Sequence, residues 1–237
     1  MGIKRGSITT SIVTDGLVFN MDAANRASFL PIASNTQGIN TINPSQKINS
    51  ATSDIFNSSE VVPSLTFGGV DDVMTLSSAL TVSSLTVDQW IKTDHVNPSG
   101  ILQNQWVNNI TGGAGFFKYN ELFGMGLDNG RLSNYTANTS GATGFALSTN
   151  PLNDDTWHHC FLTFDGSTLR SYIDGSLNVT IEGITSWGSS TLNTMGRYYT
   201  STIRYFNGEI GSLRVYNRAL SANEALHNYN ALKGRFS

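Results

Sequence analysis

The chain reads as an all-β protein, an antiparallel β-sandwich closed by one short C-terminal helix. Three observations predict this. Short runs rich in apolar and β-branched residues recur along most of the chain. The dipeptides Asn129-Gly130, Asp165-Gly166, Asp174-Gly175 and Asn207-Gly208 fall between such runs, where two-residue hairpins need positive φ at both central positions. A single helical signature stands at the end of the chain. Twenty-three Gly against five Pro fits many tight turns and few rigid loops.

Residues 1–14 are expected to form an N-terminal arm. It is polar except for Ile3, Ile8, Ile12 and Val13, carries Lys4 and Arg5, and has too few apolar residues for a core of its own. A first strand follows at 17–22, then an Asn/Ser/Thr-rich excursion over 30–60 without periodicity. Strands are predicted at 61–67, 73–76, 84–92, 100–106, 116–119, 122–127, 131–135 and 145–148. Five more follow at 157–164, 169–173, 177–182, 192–198 and 208–216. The helix is the most explicit element. Ser221 followed three residues later by Glu224 makes a capping box, with Leu220 and Ala225 placed as a hydrophobic staple. Leu226, Tyr229 and Leu232 continue at helical spacing toward the core, and Gly234 is expected to end the helix in the left-handed region.

Several segments resemble, in order, the concanavalin A-like, laminin-G-type jelly rolls. Asp15-Gly16-Leu17-Val18-Phe19-Asn20-Met21-Asp22-Ala23 resembles the opening strand, and Ser64-Leu65-Thr66-Phe67-Gly68-Gly69-Val70-Asp71-Asp72 a second signature. Leu85-Thr86-Val87-Asp88-Gln89-Trp90-Ile91-Lys92 resembles the central strand with its core Trp. Asp155-Thr156-Trp157-His158-His159, with the stretch to Asp174-Gly175, resembles the back-sheet hairpin. The run from Gly208 through Tyr216-Asn217-Arg218-Ala219-Leu220-Ser221 resembles the closing edge. The resemblance implies one jelly-roll domain at 15–237, with Trp90 and Trp157 buried between the sheets. The ending Asn228-Tyr229-Asn230-Ala231-Leu232-Lys233-Gly234-Arg235-Phe236, taken with the opening strand, is similar to laminin-G-like proteins of tailed bacteriophages. That likeness implies a non-enzymatic virion structural protein, made in the host cytoplasm and displayed on the virion surface as a capsid decoration or cement subunit. Its partners would be the major capsid protein or other virion proteins, and copies of itself. The alternative is a carbohydrate-binding adhesion module of a tail fibre or head appendage, directed at host-surface polysaccharide.

Composition excludes other classes. Net charge is −3 and charged residues make up 13%, so no basic surface points to nucleic acid or anionic membrane. No run approaches the roughly 18 apolar residues of a membrane span, and the polar start after Arg5 does not resemble a secretory signal. Cys160 is the one cysteine; it reads as a small buried hydrophobe, and stability must come from the core.

Chemistry-bearing constellations are sparse. Retaining glycoside hydrolysis needs two carboxyls about 5 Å apart. Yet Glu60, Glu121, Glu182, Glu209 and Glu224 each lack another carboxylate two to four residues away. Asp71-Asp72 and Asp154-Asp155 are adjacent pairs that would face opposite ways on a strand, as would His158-His159. An enzyme is therefore not expected, nor is a zinc site. Calcium is the one cofactor the family offers, with Asp128, Asn129, Asp94 and Asn97 as oxygen donors, although turn hydrogen bonding already explains these residues. Ligand or partner contact is assigned to loop-borne aromatics, which stack on sugar faces or anchor interfaces. These are Trp106, Tyr135, Trp187, Tyr198 and Tyr199. On the arm, the contact residues are Ile3, Lys4, Arg5 and Ile8.

Overall fold

The computed structural model describes residues 11–25, 27–28, 37–50, 56–57, 62–82, 84–95, 105–111, 123–128, 130–137, 143–184, 190–196 and 205–237. Along 56–57, 79–82, 105–111, 123–126, 128, 133–137, 143–147 and 190–194 only the backbone course is described. The described residues form β1 (Leu17–Asp22), β2 (Gln37–Ile39), β3 (Lys47–Ser50), β4 (Phe56–Asn57), β5 (Ser64–Gly68), β6 (Met74–Val82), β7 (Leu85–Lys92) and β8 (Gln105–Thr111). They continue with β9 (Phe123–Asp128), β10 (Arg131–Ala137), β11 (Thr143–Pro151), β12 (Trp157–Phe164), β13 (Leu169–Ile173), β14 (Ser176–Ile181), β15 (Ser190–Met195) and β16 (Asn207–Tyr216). Helix α1 (Ala222–Leu232) and a 3₁₀ turn, Lys233–Arg235, close the chain.

Two sheets stack. The first runs β14-β13-β12-β7-β16-β5-β4, with β1 also paired to β16. The second runs β11-β10-β9-β8-β15-β6-β3-β2. Each pairing between described strands is antiparallel. Alternation sends Leu85, Val87 and Ile91 of β7, Cys160, Leu162 and Phe164 of β12, and Leu213 and Val215 of β16 into one core. There they meet Phe19, Met21, Ile48, Phe67, Leu127 and Leu132. β7 is buried on both faces, because its outward residues lie beneath α1.

The helix begins as its sequence dictates. Ser221 accepts from the Glu224 N–H, and the Glu224 carboxylate accepts from the Ser221 N–H, a cap worth about 1 kcal/mol. Arg218, paired to Glu224 at 2.6 Å, holds that carboxyl down at about 2, helped by the Ser221 bonds. Leu220 and Ala225 are buried together with Phe161, Tyr172 and Tyr216, which completes the staple.

Elsewhere the fold departs from expectation. Trp90 is buried, but beneath α1 rather than between the sheets. It stacks on Phe236 at 4.4 Å and on Tyr229 at 5.8 Å between centroids. Trp157 is only half-buried on that same face, with its ring 4.9 Å from Phe236. Two-sided burial of a central strand makes outward and inward positions look alike in sequence. Leu226 is exposed at 44%; Ala225, Asn228 and Leu232 are the buried helix positions. Gly234 lies in the 3₁₀ turn without positive φ, so Phe236 can swing onto Trp90. Gly211 is the seat for that ring, since a Cβ there would collide with it. The 30–60 excursion contains β2, β3 and β4, strands of two to four residues too short to show a periodicity. β8 is described over Gln105–Thr111, while residues 100–104 of the predicted 100–106 strand lie outside the described residues. Asn207-Gly208 opens β16 instead of turning a hairpin. The 116–119 strand lies outside the described residues. Residues 11–13 are not a free arm: Ile12 and Val13 pack beside the helix, Val13 N–H donates to Asn228 at 2.8 Å, and His227 contacts the Ser11 carbonyl at 2.7 Å.

Under the helix lies a buried polar network centred on Asp88, which is 0% exposed. Its Oδ1 faces His159 Nε2 at 3.1 Å and Arg214 Nη1 at 3.4 Å; Oδ2 accepts from Asn228 Nδ2 at 2.7 Å. Asn228 also donates to the Tyr216 hydroxyl at 3.0 Å, which in turn donates to the Val13 carbonyl at 3.1 Å. Arg214 and Arg235 converge on Asp22 at 3.5 and 2.7 Å. Burial alone would push the Asp88 carboxyl up, but His159, Arg214 and the Asn228 amide outweigh it and hold it below its ordinary 3.8. Removing one member of a buried charge network leaves the others desolvated and unmatched. Asp88→Asn should therefore cost about 3–5 kcal/mol in urea unfolding, with Arg214→Met in the same chain recovering part of the loss. A cost below about 1 kcal/mol would contradict this reading of the network.

Candidate functional site

With the outer face of the first sheet covered by α1, the described surface opens at one edge of the sandwich. There β14, the edge strand of one sheet, lies against β11, the edge strand of the other. Between them is a cleft of about 470 Å³, lined by Ser148 to Leu152, Asp154, His158, Ile173, Asp174 and Ser176 to Asn178.

Each polar lining residue has a local cause. β13 and β14 are joined by Asp174-Gly175, both with positive φ (51° and 79°), the type I′ geometry that suits twisted strands. That turn sets the Asp174 carboxylate over the start of β12, where Oδ1 accepts from the His159 N–H at 2.8 Å and Oδ2 faces His158 Nδ1 at 2.9 Å. Asp154 sits in the loop before β12. The loop is pinned because Asp155 N–H donates to the Thr93 carbonyl at 3.1 Å and Lys92 pairs with Asp155 at 3.3 Å. Asp154 Oδ1 then accepts from the Thr156 N–H at 3.0 Å and hydroxyl at 2.7 Å, and lies 3.2 Å from His158 Nε2. His158 shares the face of Cys160, Leu162 and Phe164 but stands at the open end of the strand, so it points into the cleft rather than the core.

His158 is thus gripped between two carboxylates, one on each ring nitrogen. The Asp174 hydrogen bond raises its pKa above the ordinary 6.5, against the opposing effect of partial burial, with Asp154 adding to the rise. When protonated, the ring donates to both carboxylates. Thr156, His158 and Asp174 stand in the order of a nucleophile, base and orienting acid, with Thr156 Oγ1 3.2 Å from Nε2. The hydroxyl, however, donates its hydrogen bond to Asp154, and a protonated ring has no lone pair to accept it. In that state the arrangement holds charge in place rather than activating a nucleophile.

Other groups remain open to a ligand. Thr149, Asn150 and Ser176 are exposed, and Leu177 presents an apolar side chain at 59% exposure. Asp154 Oδ2 accepts no hydrogen bond among the described residues.

The contact residues named from sequence are not among the residues whose side chains are described. Trp106 and Tyr135 lie on β8 and β10, where only the backbone is described. Trp187, Tyr198, Tyr199, Ile3, Lys4, Arg5 and Ile8 lie outside the described residues. So do Asn97 and Asn129 of the calcium set; among the described residues no group of three or more His, Cys, Asp or Glu is placed to hold a metal. Sequence reasoning treated Asp154 and Asp174 as turn residues and His158 as half of an unhelpful pair. The available signal was Asp154 four residues before His158, followed by a type I′ Asp-Gly turn after one hairpin.

A laminin-G family model, described as concanavalin A-like lectin/glucanases superfamily, matches residues 67–225. No curated protein matches the chain in sequence. Among solved structures, the receptor-binding domain of botulinum neurotoxin type G superposes with a TM-score of 0.61 at 14% identity, covering 91% of this chain and 51% of that one. A Trypanosoma rangeli sialidase in complex with sialic acid gives 0.65 at 14%, covering 96% and 35%. The heptameric pentraxin of Limulus polyphemus gives 0.52 at 17%, covering 68% and 78%. The chain spans about half the length of the toxin binding domain. At these identities the likeness is one of fold.

The histidine clamp has a pH signature. A pKa raised by folding means the folded state binds the proton more tightly. The stabilisation is then fully present below the unfolded value near 6.5 and is lost as pH rises through the folded value. Urea midpoints should fall from pH 5.5 to pH 8.5, and Asp174→Asn, which keeps a residue tolerant of positive φ, should flatten that fall. An unchanged slope in the variant would contradict the clamp.

Proposed function

The chain belongs to the concanavalin A-like lectin/glucanases superfamily, and on that footing we propose that it is a non-enzymatic recognition domain for carbohydrate, held in the β11–β14 cleft. The observation that carries this is the mixture of uncommitted polar groups with one exposed apolar side chain. Thr149, Asn150, Ser176 and Asp154 Oδ2 can exchange hydrogen bonds with hydroxyls, while Leu177 can lie against a C–H face. Small-ligand sites commonly enclose about 300–1,000 Å³, and this cleft falls within that range. Similar folds include a toxin's receptor-binding domain and a sialidase, so the fold serves both recognition and catalysis. The non-enzymatic reading is supported by the occupied hydroxyl of Thr156 and by the described glutamates near the fold's polar contacts. Glu209 is paired with Lys92 at 3.4 Å and Glu224 with Arg218 at 2.6 Å. Calorimetric titration with an oligosaccharide panel should give saturable binding and no hydrolysis. Asn150→Ala with Ser176→Ala should weaken it about tenfold, each lost hydrogen bond being worth about 0.5–1.5 kcal/mol. Absence of binding across the panel, or turnover abolished by changing His158, would remove the reading.

A second reading places this domain on a tailed-phage virion, as a decoration subunit contacting the major capsid protein through its N-terminal segment. It draws support from the anchoring of residues 11–13 on α1, which makes the helix side the junction with the segment bearing Ile3, Lys4, Arg5 and Ile8. Deleting residues 1–10 spares the described contacts. It should leave a folded domain that binds sugar as before yet no longer joins particles, whereas full occupancy by the truncated protein would place attachment on the sandwich.

A further inference from the structure

We propose that the β11–β14 cleft takes uncharged sugars bearing neighbouring hydroxyls and turns away acidic ones. The inference rests on the carbohydrate reading and adds the charge class of the ligand. The described lining holds two carboxylates, Asp154 and Asp174, one histidine, His158, and no Lys or Arg. His158 stands between its two carboxylates, one at 2.9 Å and one at 3.2 Å, so the described lining is net negative whether or not the ring is protonated. The basic side chains on the neighbouring strands lie outside this described lining, Arg131 among them, cross-strand from Pro151. Lys92 lies between Asp155 and Glu209 at 3.3 and 3.4 Å, and Arg170 pairs with Asp165 at 3.0 Å. No described cation lines the cleft itself to receive a carboxylate, sulfate or phosphate.

The two carboxylates do different work. Both oxygens of Asp174 are occupied, by His158 Nδ1 and the His159 N–H. Asp154 commits only Oδ1, to Thr156 and His158, and its side chain is 56% exposed. Oδ2 is a charged acceptor at the mouth of the cleft. An ionised carboxylate accepts well from sugar hydroxyls, since hydrogen bonds to charged groups are the stronger kind, and the Asn150 amide and the Ser176 and Thr149 hydroxyls complete a donor and acceptor set around it. An acidic group brought to a few ångströms from Asp154 instead meets like charge across a partly solvated gap, which is enough to weaken binding by about tenfold or more.

The test is a glycan array carrying neutral hexose glycans beside their sialylated and uronic acid counterparts, with affinities of the best pair measured by calorimetry at about 0.05 M and about 1 M NaCl. Binding should be confined to neutral members, with each acidic counterpart weaker by about tenfold or more. High salt should narrow the gap, because screening acts on the repulsion and not on the neutral ligand. Asp154→Asn, in an exposed loop, should bring the pair to within about threefold, chiefly by relieving the repulsion of the acidic member. Acidic members bound as tightly as neutral ones, or a gap indifferent to salt and to Asp154→Asn, would overturn the charge selection while leaving a sugar-binding domain. If no member of either class binds, the carbohydrate reading itself falls.

Discussion

A single buried carboxylate organises one face of this molecule. Asp88 sits on a central strand, fully removed from water, and faces a histidine from β12, an arginine from β16 and an asparagine from α1. An isolated charge in that position would be untenable; matched on three sides, it becomes the point at which two neighbouring strands, the helix and, through Asn228, the Val13 segment are locked together. Trp90, Tyr229 and Phe236 then stack in the shelter of the helix. The outer face of the first sheet is closed as a result, and with it a broad surface on which a ligand could otherwise lie.

Closure of that face gives the open edge its importance. β11 and β14 end their sheets without a further strand, and the Asp-Gly turn beyond β13 projects a carboxylate back over β12. His158 is held there between two carboxylates, one at each ring nitrogen. The same clamp makes a rigid wall, and rigid polar groups lose little freedom when a ligand arrives. Cleft and core are thereby linked through β12. His159 faces Asp88 beneath the helix, while its neighbour His158, one residue earlier and on the opposite face, lines the cleft.

Much of the fold was legible because local rules governed it. β1, β12 and β13 fall at the residues their apolar patterns mark, Asp174-Gly175 adopts the turn its chemistry demands, and Ser221 with Glu224 starts the helix. What was misread shares a physical origin in burial on two sides. Trp90 and Leu226 could be placed only by knowing that the helix covers the outer face and presents Ala225, Asn228 and Leu232 to it. Short strands such as β2 and β3 are defined by pairing rather than by pattern. The cleft was not visible at all. Asn150, Asp154, Asp174 and Ser176 come from two sheet edges and two turns, each residue having an adequate local explanation as a turn former. Their convergence is a property of topology. The aromatic contact residues chosen instead, among them Trp187 and Tyr198, fall outside the described residues.

The most direct test of where this molecule recognises its ligand is a crystal structure of the domain with a bound neutral oligosaccharide. Density is expected across the β11–β14 edge, with a hydroxyl on Asp154 Oδ2, further contacts to Asn150 and Ser176, and a ring face on Leu177. The helix should remain seated over Asp88. A sugar bound elsewhere with this cleft empty, or one admitted only by displacement of α1, would contradict both the site and the sealing of the outer face.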